Sequence, residues 1–374
     1  MYEKSLVKER FIVKFKSFFT AENASWLIFL LLLIGGIIAK LFLWDFTSSD
    51  MDVWREAAKL FIAGKNPYEE TLLSFQIEGM KHFYAYFPLW LYVCSILLIF
   101  PETWFFPLIK ILILFFDLQV VVLLFVILKP KVENPWRLKL PIAIWFITPI
   151  IIMTSSMHGK FDSLMFVFIL IALLANEKKL PVAEGLFLSG AILTKPIMLL
   201  LVPFFFRSEI KEKNYRSFSI KLFSLIVPII LFSIPFLKEP LLYLKGVLGV
   251  HITRNNDMGL FFSLFKMIFP SANADVNIRI SLTVVIVLFW VLMIIISFLK
   301  RIDLYTLSFL TFLGFNLFYW VFLVQYTFWI YTFYVLVSTK SKMKAWHIGL
   351  ITPLLIILST TVLALLGTFV KTGL

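Results

Sequence analysis

The chain has 374 residues, 61% of them hydrophobic, 43 of them Phe and only 15% charged, with a mean hydropathy of +0.94. A soluble chain of this length cannot hide so much apolar surface, so the composition excludes soluble enzymes and marks a polytopic membrane protein. The formal net charge of +13 does not point to nucleic acid, because no basic run interleaves with a soluble fold; Lys and Arg gathered in cytoplasmic loops account for it.

The first 25 residues carry Lys4, Lys8, Arg10, Lys14 and Lys16, and the apolar stretch from Trp26 to Trp44 follows. At about 1.5 Å per residue it reaches about 28 Å, enough to span a bilayer. It is too long for a signal-peptide core and no small-residue cleavage site follows, so it reads as a retained helix with its N-terminus in the cytoplasm. Next comes the polar interruption Ser48-Ser49-Asp50-Met51-Asp52. From Asp50 to Phe61 the residues Val53, Trp54, Ala57, Leu60 and Phe61 recur at helical spacing, which predicts an amphipathic helix on the outer surface. Asp50 is placed to cap that helix, and a helix N-terminus keeps a carboxylate ionised. Gly64 ends it and Lys65-Asn66-Pro67-Tyr68 forms a turn.

His82, Tyr84 and Tyr86 lead into Phe87-Pro88, an aromatic belt at the membrane interface. Further apolar segments cover residues 88–100, 104–128, 141–154, 162–175, 181–206, 219–236, 281–299, 304–337 and 347–369. Cys94 lies in the first of these and reads as a packing residue; a lone cysteine builds no disulfide framework. The basic clusters around Lys129, Lys178, Arg207, Lys300 and Lys340 belong in the cytoplasm. Parity then makes 88–100, bracketed by Pro88 and Pro101, a segment that is re-entrant or lies in the outer leaflet. It also makes 181–206 cross twice, turning at Thr194-Lys195-Pro196, and breaks 304–337 near Gln325. About eleven spans result, in one transmembrane domain over residues 1–374. Its two large external loops are 45–87 and 237–280.

This topology gathers Asp50, Asp52, His82, Tyr84, Tyr86, His158, Lys160, Asp162, Lys195, His251, Arg254, Asn255, Asn256, Asp257, Gln325 and Tyr326 on the external side, as one candidate cavity. Lys195, between two apolar half-spans, must reach water, a carboxylate or an anionic ligand. Lys160, His158, His251 and Arg254 are singly ordinary loop cations; with Lys195 they can form a phosphate site. Gln325 serves equally as an interhelical hydrogen-bonding residue. The histidine spacing matches no metal motif, and Asp50-Met51-Asp52 alone is a weak carboxylate pair, so neither a metal nor any other cofactor is expected.

Asp50-Met51-Asp52-Val53-Trp54-Arg55-Glu56-Ala57-Ala58, then Gly64-Lys65-Asn66-Pro67-Tyr68, then Tyr86-Phe87-Pro88, resembles the first external loop of GT-C glycosyltransferases. The likeness is nearest to polyprenyl-phosphate-mannose-dependent mannosyltransferases, those of bacterial phosphatidylinositol mannosides and the glycosylphosphatidylinositol mannosyltransferase I. Ser155-Ser156 through Gly159 to Asp162-Ser163, Gly190 through Lys195-Pro196, and Gln325-Tyr326-Thr327-Phe328-Trp329 resemble later motifs in the same order, so the resemblance covers residues 26–337. Ser48 stands where a double-acid form of the first motif has its other acid.

The resemblance implies an all-α GT-C fold and an inverting transfer of a hexose, mannose first among candidates. The donor would be a polyprenyl-phosphate sugar and the acceptor a lipid or glycan at the outer face of the cell membrane. It implies Asp50 as general base and donor phosphate held by Lys195 with Lys160, His251 or Arg254. Asp162 orients a lysine or binds sugar hydroxyls. Asp52, His158, Tyr86, Asn255, Asn256, Gln325 and Tyr326 support sugar or acceptor, and the partners are membrane lipids rather than nucleic acid. Two other classes remain open at this point. A transporter or flippase of a lipid-linked or anionic solute also puts charge inside the membrane, although no internal repeat is visible. A non-catalytic scaffold fits only if the carboxylates are dispensable.

Overall fold

A computed structural model describes residues 20–73, 84–249, 259–268, 274–321 and 323–339. His82, His251, Arg254, Asn255, Asn256, Asp257 and the apolar stretch 347–369 lie outside the described residues. Helices dominate what is described, and no β-sheet occurs among those residues.

Helix α1 is Ala21–Phe42, started by the Thr20 hydroxyl accepting from the Asn23 amide. The amphipathic α2 covers Ser49–Ile62, and Gly64 behind it takes the left-handed φ of 75° that favours glycine. Where a turn is expected, Asn66 instead starts a short helix α3, Pro67–Leu73, by accepting from the Tyr68 amide. Helix α4, Pro88–Leu97, occupies the segment expected to be re-entrant or to lie in the outer leaflet. It is followed by α5, Phe105–Leu128, and by α6, Pro135–Ile147.

At Thr148 the chain bends by 46° into α7, Pro149–Ile152, and a π-turn, Met153–Met157. The cause is local: Pro149 cannot donate to the preceding turn and biases Thr148 to extended backbone. Helices α8, Asp162–Glu177, and α9, Pro181–Thr194, form an antiparallel pair. Helix α9 ends at Thr194, next to the expected turn, and beyond Lys195 come a 3₁₀ turn, Pro196–Leu201, and a short α10, Val202–Phe205.

Beyond these come α11, Arg207–Glu212, α12, Tyr215–Ser233, α13, Pro240–Leu244, α14, Leu260–Ile268, and α15, Ala274–Leu299. The last two described helices are α16, Leu304–Phe318, and α17, Val324–Ser338. The break between them falls near Gln325, as expected, with Gln325 itself in the first turn of α17. Proline stands at the first position of α4, α6, α7 and α9, where its missing N–H costs nothing and its fixed φ suits a helix start.

Four described helices are long and apolar enough to cross a membrane, five if α6 and the bent α7 count as one. Helices α4, α9 and α16 are apolar but shorter. In α15 only 17% of the most apolar window is buried inside the molecule, and Ile280, Val284, Leu288 and Leu292 stand exposed. So broad an apolar face suits lipid rather than water. Ion pairs join Lys139 to Glu22, Lys131 to Glu177, and Lys221 to both Glu184 and Glu209.

Candidate functional site

Helix α2 lies with Met51, Trp54, Ala57 and Ala58 buried, and Trp54 meets Trp90 of α4 edge-on at 5.5 Å. Ser48, not Asp50, holds the cap position, and its hydroxyl donates to the His158 carbonyl (2.6 Å) instead of capping the helix. This displaces the expected cap role of Asp50, which stands in the first turn. There its carboxylate forms an ion pair with Lys160. Asp52 points elsewhere: it is largely exposed and pairs with Arg55 at 3.0 Å.

The second polar interruption faces α2 across a tight turn. Gly159 has φ 60°, and a Cβ there would stand 2.5 Å from Met51 Sδ, so both conformation and space require glycine. His158 contributes its carbonyl to Ser48, as noted, and its side chain is half-buried. Phe161 is fully buried. It stacks on Trp90 at 4.2 Å and meets Trp54 and Tyr86 edge-on at 5.1 and 5.0 Å. On the two sides of Phe161 in sequence, Lys160 and Asp162 reach different partners.

Asp162 begins α8 and is completely buried. Its Oδ1 accepts from Lys195 Nζ at 2.8 Å and from the Trp329 indole N–H. Its Oδ2 has no hydrogen-bond partner among the described residues. Lys195 follows the last residue of α9 in extended backbone, φ −144° and ψ 121°, the conformation that a following proline favours. Its ammonium lies over the rings of Tyr86, Phe161 and Trp329, 5.2 to 5.6 Å from their centres. An aromatic cage and a carboxylate together make a buried cation tolerable.

Lys195 also lines a cavity of about 330 Å³. The rest of its lining is apolar or aromatic: Leu199, Leu200, Leu248, Phe315, Tyr319, Trp320, Tyr326 and Trp329, with Gln325 and Tyr86 as polar members. Lys195 is the one charged residue in that lining among the described residues. Leu199 and Leu248 are exposed at the rim, so the cavity opens through an apolar mouth. Asp50, Asp52, His158 and Lys160 are not part of the lining. Of the expected members among the described residues, the cavity lining takes in Lys195, Tyr86, Gln325 and Tyr326, while Asp50 and Lys160 form a second ion pair outside it.

The Asn66-Pro67-Tyr68 stretch holds Tyr86 in position. The Tyr68 hydroxyl donates to the Tyr86 carbonyl at 2.8 Å, and burial pushes the phenol well above its ordinary pKa, so it stays a donor. Thr71 of α3 accepts from the Tyr84 amide at 3.1 Å, a second tie between these segments.

One cluster escaped the sequence reading. Lys40 of α1 forms a buried ion pair with Asp117 of α5 and donates to Ser155 at 2.8 Å. Asp117 in turn accepts from Ser163 in the first turn of α8, next to Asp162. Ser156 donates to the Lys40 carbonyl, and Lys110 donates to the carbonyls of Trp44 and Phe46. These bonds tie α1, α5 and the π-turn after α7 to the helix that presents Asp162. The serines were visible as a motif, but Asp117 inside an apolar run was the signal that went unused.

Among the described residues no group of three or more His, Cys, Asp or Glu side chains is placed to hold a metal. No protein-family model and no curated protein matches this chain. Chemically, the Lys195 cavity suits one anionic head group on an apolar tail, and Asp50 at a helix start suits proton acceptance.

Proposed function

We propose that this chain is a GT-C type glycosyltransferase that moves a hexose, mannose first among candidates, from a polyprenyl-phosphate sugar to a lipid or glycan acceptor. The observation that carries the reading is Lys195, a buried cation paired with Asp162 and the one charged residue among the described residues that line an otherwise apolar and aromatic cavity. That is the complement of a lipid phosphate. The full reading includes about eleven spans, a cytoplasmic N-terminus and the site at the outer face.

In this reading the donor phosphate meets Lys195 and the polyprenyl chain runs out past Leu199 and Leu248. Asp50, released from Lys160, takes the acceptor hydroxyl proton, and the acceptor oxygen attacks the anomeric carbon with inversion. The bond from that carbon to the phosphate oxygen breaks, and the polyprenyl phosphate leaves with the electron pair. A cation already in place stabilises that leaving group without reorganisation. Asp162 positions Lys195, and the Trp329 N–H helps hold the carboxylate.

The test is sugar transfer by purified protein in liposomes, offered radiolabelled polyprenyl-phosphate mannose, glucose, galactose and arabinose with membrane lipids as acceptors. Transfer from at least one donor is expected. No transfer from any donor, together with movement of donor across the bilayer, overturns the reading in favour of a lipid translocator.

A further inference from the structure

The segment that carries Lys160 and Asp162 is fastened at both ends to a third ion pair, Lys40 of α1 with Asp117 of α5, which the proposed chemistry does not use. Ahead of the segment, Lys40 Nζ donates to Ser155 Oγ at 2.8 Å, and the Lys40 carbonyl accepts from Ser156. Behind it, Asp117 accepts from Ser163 in the first turn of α8. Between these ties lie the His158 carbonyl, which accepts from Ser48, then Lys160 facing Asp50 and Asp162 facing Lys195. The ties on the near side fall within the π-turn Met153–Met157, where Ser155 also donates to the Ile151 carbonyl at 2.7 Å. Such turns occur as single insertions in helices, frequently at functional sites.

Stability alone does not account for the pair. Lys40 and Asp117 are 3% and 0% exposed, and for charges so buried the loss of water offsets most of the attraction, so that well-packed apolar residues in their place are often neutral or stabilising. What apolar residues cannot supply is direction, because an ammonium and a carboxylate each hold a hydroxyl at a set angle and distance. Neither residue lines the Lys195 cavity.

We propose that Lys40 and Asp117 are a positioning pair, a clasp that closes residues 155–163 into the course bringing Lys160 to Asp50 and Asp162 to Lys195. The clasp deepens the lipid-phosphate reading and rests on it for the purpose served, though not for its own existence. It acts through Ser155, Ser156 and Ser163 and touches no ligand.

The experiment compares the full chain in bilayer nanodiscs with two double variants. Lys40→Met with Asp117→Leu removes both charges together; Ser155→Ala with Ser163→Ala keeps the charges and cuts a tie on each side. The unfolding midpoint, amide hydrogen exchange across residues 156–163, and saturation binding of radiolabelled farnesyl phosphate are measured for each. The charge-free variant should unfold within about 3 °C of the wild type, yet exchange faster in that segment and bind farnesyl phosphate about tenfold more weakly. The serine variant should show the same two changes, with about threefold weaker binding. A charge-free variant of wild-type midpoint that keeps wild-type exchange or wild-type affinity overturns the proposal. Where that variant unfolds lower or does not fold, the serine variant decides, and wild-type exchange or affinity there overturns it equally. Wild-type protein that binds no farnesyl phosphate sinks the lipid-phosphate reading, and exchange in the segment then decides the clasp by itself.

Discussion

Two ion pairs flank Phe161, and they differ in almost everything except composition. Asp162 and Lys195 are 0% and 4% exposed, whereas Asp50 and Lys160 are 37% and 18% exposed. The buried pair is enclosed by three rings and a tryptophan N–H. The other sits at a helix start with water access. A buried pair is costly to break because the survivor is left charged in a poor solvent, while an exposed pair exchanges partners at little cost. Within the same few residues the protein thus holds one ion pair buried and fixed and another open to solvent; on the proposed reading the first serves binding and the second proton transfer.

The sharpest way to break that comparison is at the exposed pair. Asp50→Asn should lower sugar transfer by roughly 10²–10⁴-fold, the usual worth of a general base, while stability changes by no more than about 0.5 kcal/mol and donor binding persists. Near-normal turnover in that variant removes Asp50 from the chemistry. At the buried pair the order of effects reverses. Lys195→Ala should cost about 3–5 kcal/mol of stability by stranding Asp162, measured by denaturation in detergent, and should abolish prenyl phosphate binding. Adding Asp162→Leu should restore most of that stability without restoring binding; a double variant no more stable than the single one means that the pair is not the stabilising unit.

Smaller effects refine the geometry between the pairs. Gly159→Ala forces a side chain into a left-handed turn against Met51 and should cost about 1–2 kcal/mol, visible as a lower midpoint of unfolding. Tyr68→Phe removes one hydrogen bond to Tyr86 and should cost about 1 kcal/mol. Because Tyr86 belongs to the Lys195 cage, that variant should also weaken donor binding while kcat changes little; an unaltered KM would detach Tyr68 from the site.

The amphipathic α2, the long apolar helices α1, α5, α12 and α15, and the helix end at Lys195 were all legible in the sequence. Each is governed by local periodicity, length or a proline. The division of the polar residues between two ion pairs was not, since nothing in the order of residues says that Lys160 turns to Asp50 and Asp162 to Lys195. The Lys40–Asp117–Ser163 chain was equally hidden: its members are 77 and 46 residues apart, and only helix packing aligns them. Asp50 missed its expected cap position because Ser48 starts the helix. His158 contributes through a carbonyl, which side-chain chemistry could not foretell.

Lys160, Phe161 and Asp162 are consecutive, and each serves a different neighbour: Asp50, the Trp90 ring, and Lys195. Such a segment has no slack. A substitution can trade one contact for another, but a single residue inserted between Gly159 and Asp162 shifts the frame of all three at once. Length at this turn should therefore be less tolerant of change than identity, with sugar transfer and lipid binding lost together.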